Sequence, residues 1–418
     1  MYCDSRGYLI FPIKNEKYMN GSQNISKDCT YSINKKNVFR GLYINSFGKL
    51  ITCISGKFID IMVNMKTLEV QYFHIKPGKQ IYCPANFAHG FISLEDNSVL
   101  SYHCEGFFDS EPGGILNYKD PILNIKLPIP DSELIINEKD SKAPFLEFDY
   151  FILGYKGFIG SHIYEEFKLQ NKKIYGLPHR MEDIKQIKSL IQFYKPKYFI
   201  NAAGLTGTPN IEWCNLNQKE TLMTNVINQI NILNLCNEYN IHCTILGSGM
   251  IFKTNLYDNS ANLKYSINTG DLNDNNHYYS YCRILLEEQI KPFKNYLYLR
   301  INYPFNNKIK NEKNLLHKLL FKYSNIENIC LSISNLNSLI PILPIMIENN
   351  EVGVFNFVNK NKINIYDLYL WAKEKYLNEA EKNNLKSKIE SKRESIELVP
   401  DKLENYNIDN VYQSLNLL

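Results

Sequence analysis

The sequence has no apolar run long enough to span a membrane. Its nearest candidate, "LNSLIPILPIMIE" (336–348), is short and broken by Pro341 and Pro344. The start, "MYCDSRGYLI", lacks a cationic stretch followed by an apolar core, so no secretory leader is expected. None of the ten cysteines stands in a CxxC pair or a regular spacing. They read as reduced thiols of a cytoplasmic protein rather than as a disulfide framework. A strong charge imbalance is also absent. The formal net charge of +4 over 418 residues gives no reason to expect nucleic acid or a membrane surface as partner. No H-x-H with a following glutamate occurs, so no metal site of the kind many small β-barrels carry is expected.

What is present is a soluble balance, 44% hydrophobic and 22% charged, in a chain long enough for two or three domains. From Asn37 to about position 108 short strands alternate with turns. In "KFIDIMVNM", Ile59, Ile61, Val63 and Met65 alternate with Phe58, Asp60, Met62 and Asn64, a period near two. Turn signals follow at "KPGK", "CPAN" and "LEDN". No helical period intervenes, so a compact antiparallel barrel or sandwich is expected over residues 1–145. Arg40, Lys49, His89, His103 and Asp140 are the polar residues that could line it. A histidine in a strand is more often a satisfied structural residue than a catalyst.

Residues 146–418 read differently. "FDYFILG" is a continuous apolar run of the kind found in a buried parallel strand. Gly154, Gly157 and Gly160 follow, then a helix-like "SHIYEEFKLQ" and a second strand, "KKIYGL". A strand, glycine turn and helix let the backbone approach a pyrophosphate, placed at the N-terminus formed by Phe158 and Ile159. At the end of the second strand an acid for the ribose hydroxyl of NAD would be usual. His179 and Arg180 stand there instead, which favours a 2′-phosphate and hence NADPH. A bare surface arginine is the alternative. The strand "KPKYFINAAG" brings Asn201, Ala202 and Ala203 to the same edge, and "IHCTILGSGMIF" ends on Ser248. In "HYYSYCRILLEEQ", Tyr279 and Arg283 are four apart and share a helix face. A serine to orient a carbonyl, a tyrosine to supply a proton and a nearby cation suit hydride transfer to a ketone. The alternation of strands and helices implies a Rossmann-type doubly wound parallel sheet. The last stretch, from "WAKEKYLNEA" onward, is expected to be charged and mostly helical.

Both halves carry a family resemblance. "VFRGLY", "GKLITCISGKFIDIMVNM", "CPANFAHGF" and "ILNYKDPILNIKLP…NEKD" resemble dTDP-4-dehydrorhamnose 3,5-epimerase, a cupin-like jelly-roll barrel, over about residues 35–145. The resemblance places Arg40, Lys49, His89 and Asp140 at active-site positions. It also exposes departures. The family's catalytic histidine in "RGLH" is Tyr43 here, and Phe107 and Phe108 stand where the family has tyrosines, one of them the opposing acid. A phenol is a poor base at neutral pH. The barrel could therefore be silent, or invert at most one centre through a pair such as His89 with Tyr43.

The second half resembles the extended short-chain dehydrogenases, and within them the rhamnose-forming epimerase/reductases of plants and fungi. "NAAGLTGTPNIEWCN", "GSGMIF", "YYSYCRILLEE" and "LIPILPIMIENNEVGVFNFVN" carry the match over about residues 149–375. It implies a catalytic Ser248, and a YxxxK motif in which Arg283 replaces the lysine. Tyr281 replaces another family lysine. It also implies an epimerising pair at Cys214 and Lys318. The expected activity is inversion at C3, C5 or both of a UDP- or dTDP-linked 4-keto-6-deoxyhexose, followed by reduction at C4 with NADPH. UDP-L-rhamnose or a relative would be the product, and a homodimer is implied by the barrel family. Two alternatives stand. In one the barrel is a silent binding or dimerisation module beside a 4-keto-reductase; in the other the substrate is a UDP-N-acetylated 4-keto-6-deoxy sugar inverted at one centre.

Overall fold

A computed structural model describes residues 2–4, 6–13, 28–106, 113–208, 210–252, 263–265, 277–391 and 395–418. Phe107 and Phe108 lie outside the described residues. The chain divides into two units, Met1–Leu146 and Glu147–Leu418.

The first unit is two facing antiparallel sheets. Its strands are β1 (Tyr2–Asp4), β2 (Gly7–Ile13), β3 (Asp28–Asn34), β4 (Phe39–Ile44), β5 (Lys49–Ser55), β6 (Phe58–Asn64), β7 (Val70–Ile75), β8 (Gln80–Cys83), β9 (Phe87–Ser93), β10 (Ser98–Cys104) and β11 (Gly114–Ile115). One sheet runs β1-β2-β3-β10-β5-β8 and the other β11-β4-β9-β6-β7. The alternation in β6 has a reason on both sides. Ile59, Ile61 and Val63 pack outward with Phe39, Leu42 and Ile92, under a cover that includes Leu116, Tyr118 and Leu123. Phe58 and Met62 point the other way, into a core with Ile51, Cys53, Cys83, Phe91 and Leu100. Asp60 shares that second face, fully buried. A short helix, α1 (Glu138–Ser141), is capped by Asn137, whose side chain accepts the Asp140 amide at 2.7 Å.

The second unit is built on a six-stranded parallel sheet. In chain order it holds β12 (Tyr150–Leu153), α2 (Phe158–Leu169), β13 (Ile174–Leu177), α3 (Ile184–Tyr194), β14 (Tyr198–Asn201), α4 (Trp213–Leu216), α5 (Gln218–Leu222), α6 (Asn228–Glu238), β15 (His242–Ser248), β16 (Leu263–Tyr265), α7 (Tyr278–Ile290) and β17 (Tyr296–Ile301). The sheet order is β13-β12-β14-β15-β17, with Gly353–Asn356 at the far edge, and every pairing is parallel. The apolar run in β12 is explained by burial on both faces. Tyr150 and Ile152 pack with Phe158, Ile163 and Phe167 of α2. Phe151 and Leu153 pack with Ile187 and Ile191 of α3 and with α6. β12 and β14 are neighbours, so the order of strands reverses between them. In such sheets that reversal leaves a ligand crevice at the strands' C-terminal ends.

Helix α7 is clamped to this sheet from beneath. Arg300 of β17 donates to both oxygens of Glu287, at 2.9 and 2.7 Å, and both side chains are almost wholly buried. Removing one partner of such a pair typically costs about 3–5 kcal/mol.

The final stretch departs from the expectation of a mostly helical, solvated segment. Only Ile365–Tyr376 forms a helix of length. Beyond it Ser387–Glu390 pairs with Asn325–Asn328 as a strand, and Ile396–Leu398 pairs with β16. Leu398, Leu403, Val411 and Leu415 are buried. Their irregular spacing fits no helical face, and their charged neighbours mask the apolar signal.

Candidate active sites

In the first unit, β4 and β9 set Tyr43 directly opposite His89, so their side chains share a face. The two do not pair with each other. Tyr43 donates its hydroxyl proton to Asp140 at 2.5 Å, while His89 Nε2 lies 2.8 Å from Asp60. Asp140 is fully buried and completely engaged. Its second oxygen accepts Arg6 Nη1 at 3.1 Å and the Gly41 amide at 3.2 Å. Burial, then the bond to Asp140 and its charge, hold the Tyr43 phenol far above the usual range. Tyr43 is therefore a protonated phenol aimed at a carboxylate.

Lys49 is buried between Cys83 on β8 and Cys104 on β10, its direct cross-strand partners. Burial pulls its amine below the usual lysine range. Burial does the same to the His89 imidazole, against the opposing pull of Asp60. Arg40 Nε donates to Asn34 at 2.8 Å. Three residues that the sequence reading passed over complete the group. Asp60 orients His89, Tyr102 sets its ring 6.1 Å from His89, and Arg6 braces Asp140. The signal for Asp60 was a single acid inside an apolar strand. His103 does not belong to the lining: it is exposed and faces away beside Ser101, one residue out of phase with Tyr102 and Cys104. The second oxygen of Asp60 is buried with no hydrogen-bond partner, an expensive state that a ligand hydroxyl would relieve.

In the second unit the glycine turn is sterically required. Gly154 has φ +73°, and a Cβ there would lie 2.6 Å from the Ala203 nitrogen. A Cβ on Gly160 would lie 2.2 Å from the Gly154 carbonyl oxygen. Gly157 occupies the N-cap of α2, and its amide donates to the Gly154 carbonyl at 2.9 Å. Phe158 and Ile159 turn their side chains to the core, leaving the helix N-terminus as backbone. Asn201 is spent inside the protein. It is fully buried, donates to Gln229 and accepts the Ala203 amide at 3.2 Å, which fixes the loop through Ala202.

A cavity of about 860 Å³ opens from this turn, lined by Gly154, His179, Arg180, Ala203, Lys219 and Asn228 among others. Arg180 has its amide tied to Asp183 at 2.8 Å, and its exposed guanidinium makes no ion pair among the described residues. His179 Nδ1 is buried without a partner. A close-approach glycine turn, a helix N-terminus and uncommitted basic groups at the far end fit a dinucleotide with a 2′-phosphate.

Ser248 ends β15, and its hydroxyl oxygen accepts the Met250 amide at 3.1 Å. Tyr279 lies in the first turn of α7, with Arg283 one turn on. The Arg283 guanidinium carbon is 5.1 Å from the Tyr279 ring centre, and Nη1 donates to the Leu246 carbonyl at 3.3 Å. Arg283 thereby ties the helix of Tyr279 to the strand of Ser248. It is buried, and Nε has no hydrogen-bond partner. Gly204 leaves room for it: a Cβ there would lie 3.0 Å from Nη2. Tyr281 points outward, 45% exposed.

Cys214 is fully buried in α4. Burial pushes its thiol up, with the Thr221 hydroxyl and the Arg283 charge pulling the other way. Lys318 begins a wide helical turn, Lys318–Lys322, and is half-buried. Burial, then the charges of Lys322 and Lys313, lower its amine. No hydrogen bond or ion pair joins Lys318 to Cys214, Tyr279 or Arg283 among the described residues. Among those residues, too, no group of three His, Cys, Asp or Glu side chains could hold a metal ion, and no helix is long and apolar enough to cross a membrane.

Comparison with known proteins separates the halves at the same place. Residues 1–147 match the dTDP-4-dehydrorhamnose 3,5-epimerase family model, and residues 150–306 match the NAD dependent epimerase/dehydratase family. The chain is thus an epimerase-type cupin barrel joined to a nucleotide-binding domain of the epimerase/dehydratase kind. More particularly, it is similar to a bifunctional dTDP-4-dehydrorhamnose 3,5-epimerase/dTDP-4-dehydrorhamnose reductase of Arabidopsis thaliana. The two are 29% identical over 215 residues, 51% of this chain and 70% of that one. A trifunctional UDP-glucose 4,6-dehydratase/UDP-4-keto-6-deoxy-D-glucose 3,5-epimerase/UDP-4-keto-L-rhamnose-reductase of the same plant is 30% identical over 183 residues. The match spans 43% of this chain but only 27% of that protein. The fold is shared with the L780 UDP-rhamnose synthase of Acanthamoeba polyphaga mimivirus, at TM-score 0.55 and 23% identity over 65% of this chain and all of that one.

Proposed function

We propose that this protein is a bifunctional nucleotide-sugar enzyme. It inverts C3, C5 or both of a nucleotide-linked 4-keto-6-deoxyhexose and reduces C4 with NADPH, giving UDP-L-rhamnose or a related 6-deoxy sugar. The observation that carries the reading is the Tyr279–Arg283 pair, bonded through the Leu246 carbonyl to the strand that ends on Ser248, in the unit whose glycine-turn cavity is lined by His179 and Arg180. NADPH, when bound, supplies hydride to C4. Gly154, Gly157 and the N-terminus of α2 hold its pyrophosphate, and His179 and Arg180 its 2′-phosphate. Ser248 accepts from the Met250 amide, so its own proton is free for the ketone oxygen. Tyr279 gives that oxygen the proton that completes the alcohol, with Arg283 as the adjoining cation.

Inversion uses the acidity that the ketone lends to its neighbouring C–H bonds. Lys318, with its amine biased towards the neutral form, removes the proton. Cys214, kept as a thiol, returns one from the opposite face. At least one inversion takes place in this domain. The barrel binds the anionic sugar nucleotide through Arg40, Lys49 and His89, or inverts at most one centre. The state of Tyr43 favours the silent reading, because its proton is committed to Asp140. The described cysteines are all free thiols, which supports a reducing, cytoplasmic setting. A homodimer is the assembly we expect, and sedimentation of the full chain checks it.

The product formed from UDP-4-keto-6-deoxyglucose and NADPH, identified by NMR, tests the reading. A rhamnose-configured 6-deoxy sugar supports it. A reduced sugar with C3 and C5 unchanged reduces it to a 4-keto-reductase.

A further inference from the structure

Helix α7, which carries Tyr279 and Arg283, has no cap of its own. His277 occupies the N-cap position, and its side chain bonds no helix amide. The first amide of α7 would be one of the orphan donors of a helix start. It is satisfied from elsewhere: Tyr278 N–H donates to Asn215 Oδ1 at 2.7 Å, across a sequence separation of 63. Asn215 lies in α4, immediately after Cys214. Tyr278 immediately precedes Tyr279. One hydrogen bond therefore joins the residue next to each candidate proton donor.

The rest of the seam agrees. Cys282 of α7 is fully buried and within electrostatic reach of Cys214. The Arg283 charge reaches the Cys214 thiol as well as the Tyr279 ring. Between them runs the loop from Gly204 to Gly207. A Cβ on Gly204 would press on Arg283, and one on Gly207, at φ +75°, would lie 3.3 Å from Cys214 Sγ. The two glycines at the ends of this loop thus leave the space that the Arg283 and Cys214 side chains occupy.

We infer that Asn215 is a positioning residue, which locks the Cys214 helix to the Tyr279 helix so that return of a proton to carbon and protonation of the C4 oxygen act on one bound sugar. The inference rests on the roles assigned above to Cys214 and Tyr279. A cap that merely stabilised α7 would change thermal stability and leave the rate per folded molecule alone.

The test uses the full chain, UDP-4-keto-6-deoxyglucose and D₂O without NADPH, reading by NMR the exchange that counts here, deuterium entry at a centre whose configuration has inverted. Asn215→Ala should lower the exchange kcat at least ten-fold with KM changed less than two-fold. Asn215→Asp keeps an oxygen acceptor and puts a negative charge at a helix N-terminus, so it should restore exchange to within about three-fold of the parent. Circular dichroism establishes that each variant is folded. Exchange within two-fold of the parent in Asn215→Ala overturns the inference, as does failure of a folded Asn215→Asp to restore it. Cys214→Ala, run alongside, separates the two failures. If it keeps full exchange, the proposed role of Cys214 falls and the inference falls with it. If it abolishes exchange while Asn215→Ala does nothing, only the inference falls.

Discussion

Each unit places a tyrosine among its candidate catalytic groups, and the two tyrosines have opposite company. Tyr43 faces Asp140, whose second oxygen is already held by Arg6 and the Gly41 amide. Tyr279 faces the Arg283 guanidinium and bonds no carboxylate among the described residues. A carboxylate that receives the phenol's proton keeps it there, whereas a cation does not compete for it. The same side chain is therefore a latched group in one unit and an available proton donor in the other. In the proposed mechanism, what separates the two tyrosines is the neighbour rather than the residue type.

The comparison breaks most sharply at Tyr279. Tyr279→Phe keeps the ring over Arg283 and removes only the proton. NADPH oxidation with the keto sugar should fall by roughly 10²–10⁴-fold, the usual contribution of a positioned acid. KM should hold near the parent value. Normal turnover in the phenylalanine variant would mean that the proton comes from elsewhere.

The barrel offers the converse experiment. Tyr43→His would set an imidazole beside Asp140, which orients it and supports its charged form. In a Lys318→Ala background, where the second unit has lost its proposed base, this change should raise deuterium exchange by about ten-fold or more over Lys318→Ala alone. No gain would show that the barrel lacks more than its base.

How much of this the sequence revealed depended on the range of the interactions. The glycine turn, the parallel strands and the Tyr279–Arg283 pair are local patterns, and they read directly. So did the two-sided strand at 58–64, once its alternation was counted. The pairings inside each site did not. Asp60 with His89, Tyr43 with Asp140, and Asn215 with Tyr278 join residues 29, 97 and 63 apart. Nothing in a linear pattern marks them. His103 failed for a different reason: with period two, an error of one position turns a side chain to the opposite face. The C-terminal stretch failed because its buried leucines hold strands and short turns, whose spacing has no single period.

A smaller effect is expected at the cofactor end. Arg180 is exposed and its guanidinium makes no ion pair among the described residues, so its expected worth lies in a bound phosphate. Arg180→Ala should narrow the preference for NADPH over NADH by about ten-fold, equivalent to about 1.4 kcal/mol. The change should appear in KM for NADPH, with kcat for NADH unaltered. Equal use of both cofactors by the parent protein would place the phosphate contact elsewhere, with Lys219 the next basic residue in the cavity lining.

The smallest predicted effect concerns the inverting pair. Exchange with inversion needs Lys318 neutral and Cys214 protonated, so its pH profile should be bell-shaped, rising as the lysine loses its proton and falling as the thiol does. Lys318 sits below its usual range through burial and then through Lys322 and Lys313. Removing the exposed Lys322 charge lets Lys318 keep its proton to higher pH. Lys322→Ala should therefore move the acidic limb upward and slow exchange at a fixed pH on that limb. The fall should be about two-fold, because exposed charge contacts contribute at most ~1 kcal/mol. Added salt should move the limb of the parent in the same direction, since it screens the same repulsion, and should do less to Lys322→Ala. The alkaline limb, which belongs to the buried thiol, should stay in place. An acidic limb that moves downward, or one that ignores both the substitution and salt, would take Lys318 out of the reaction and leave Cys214 in need of another partner.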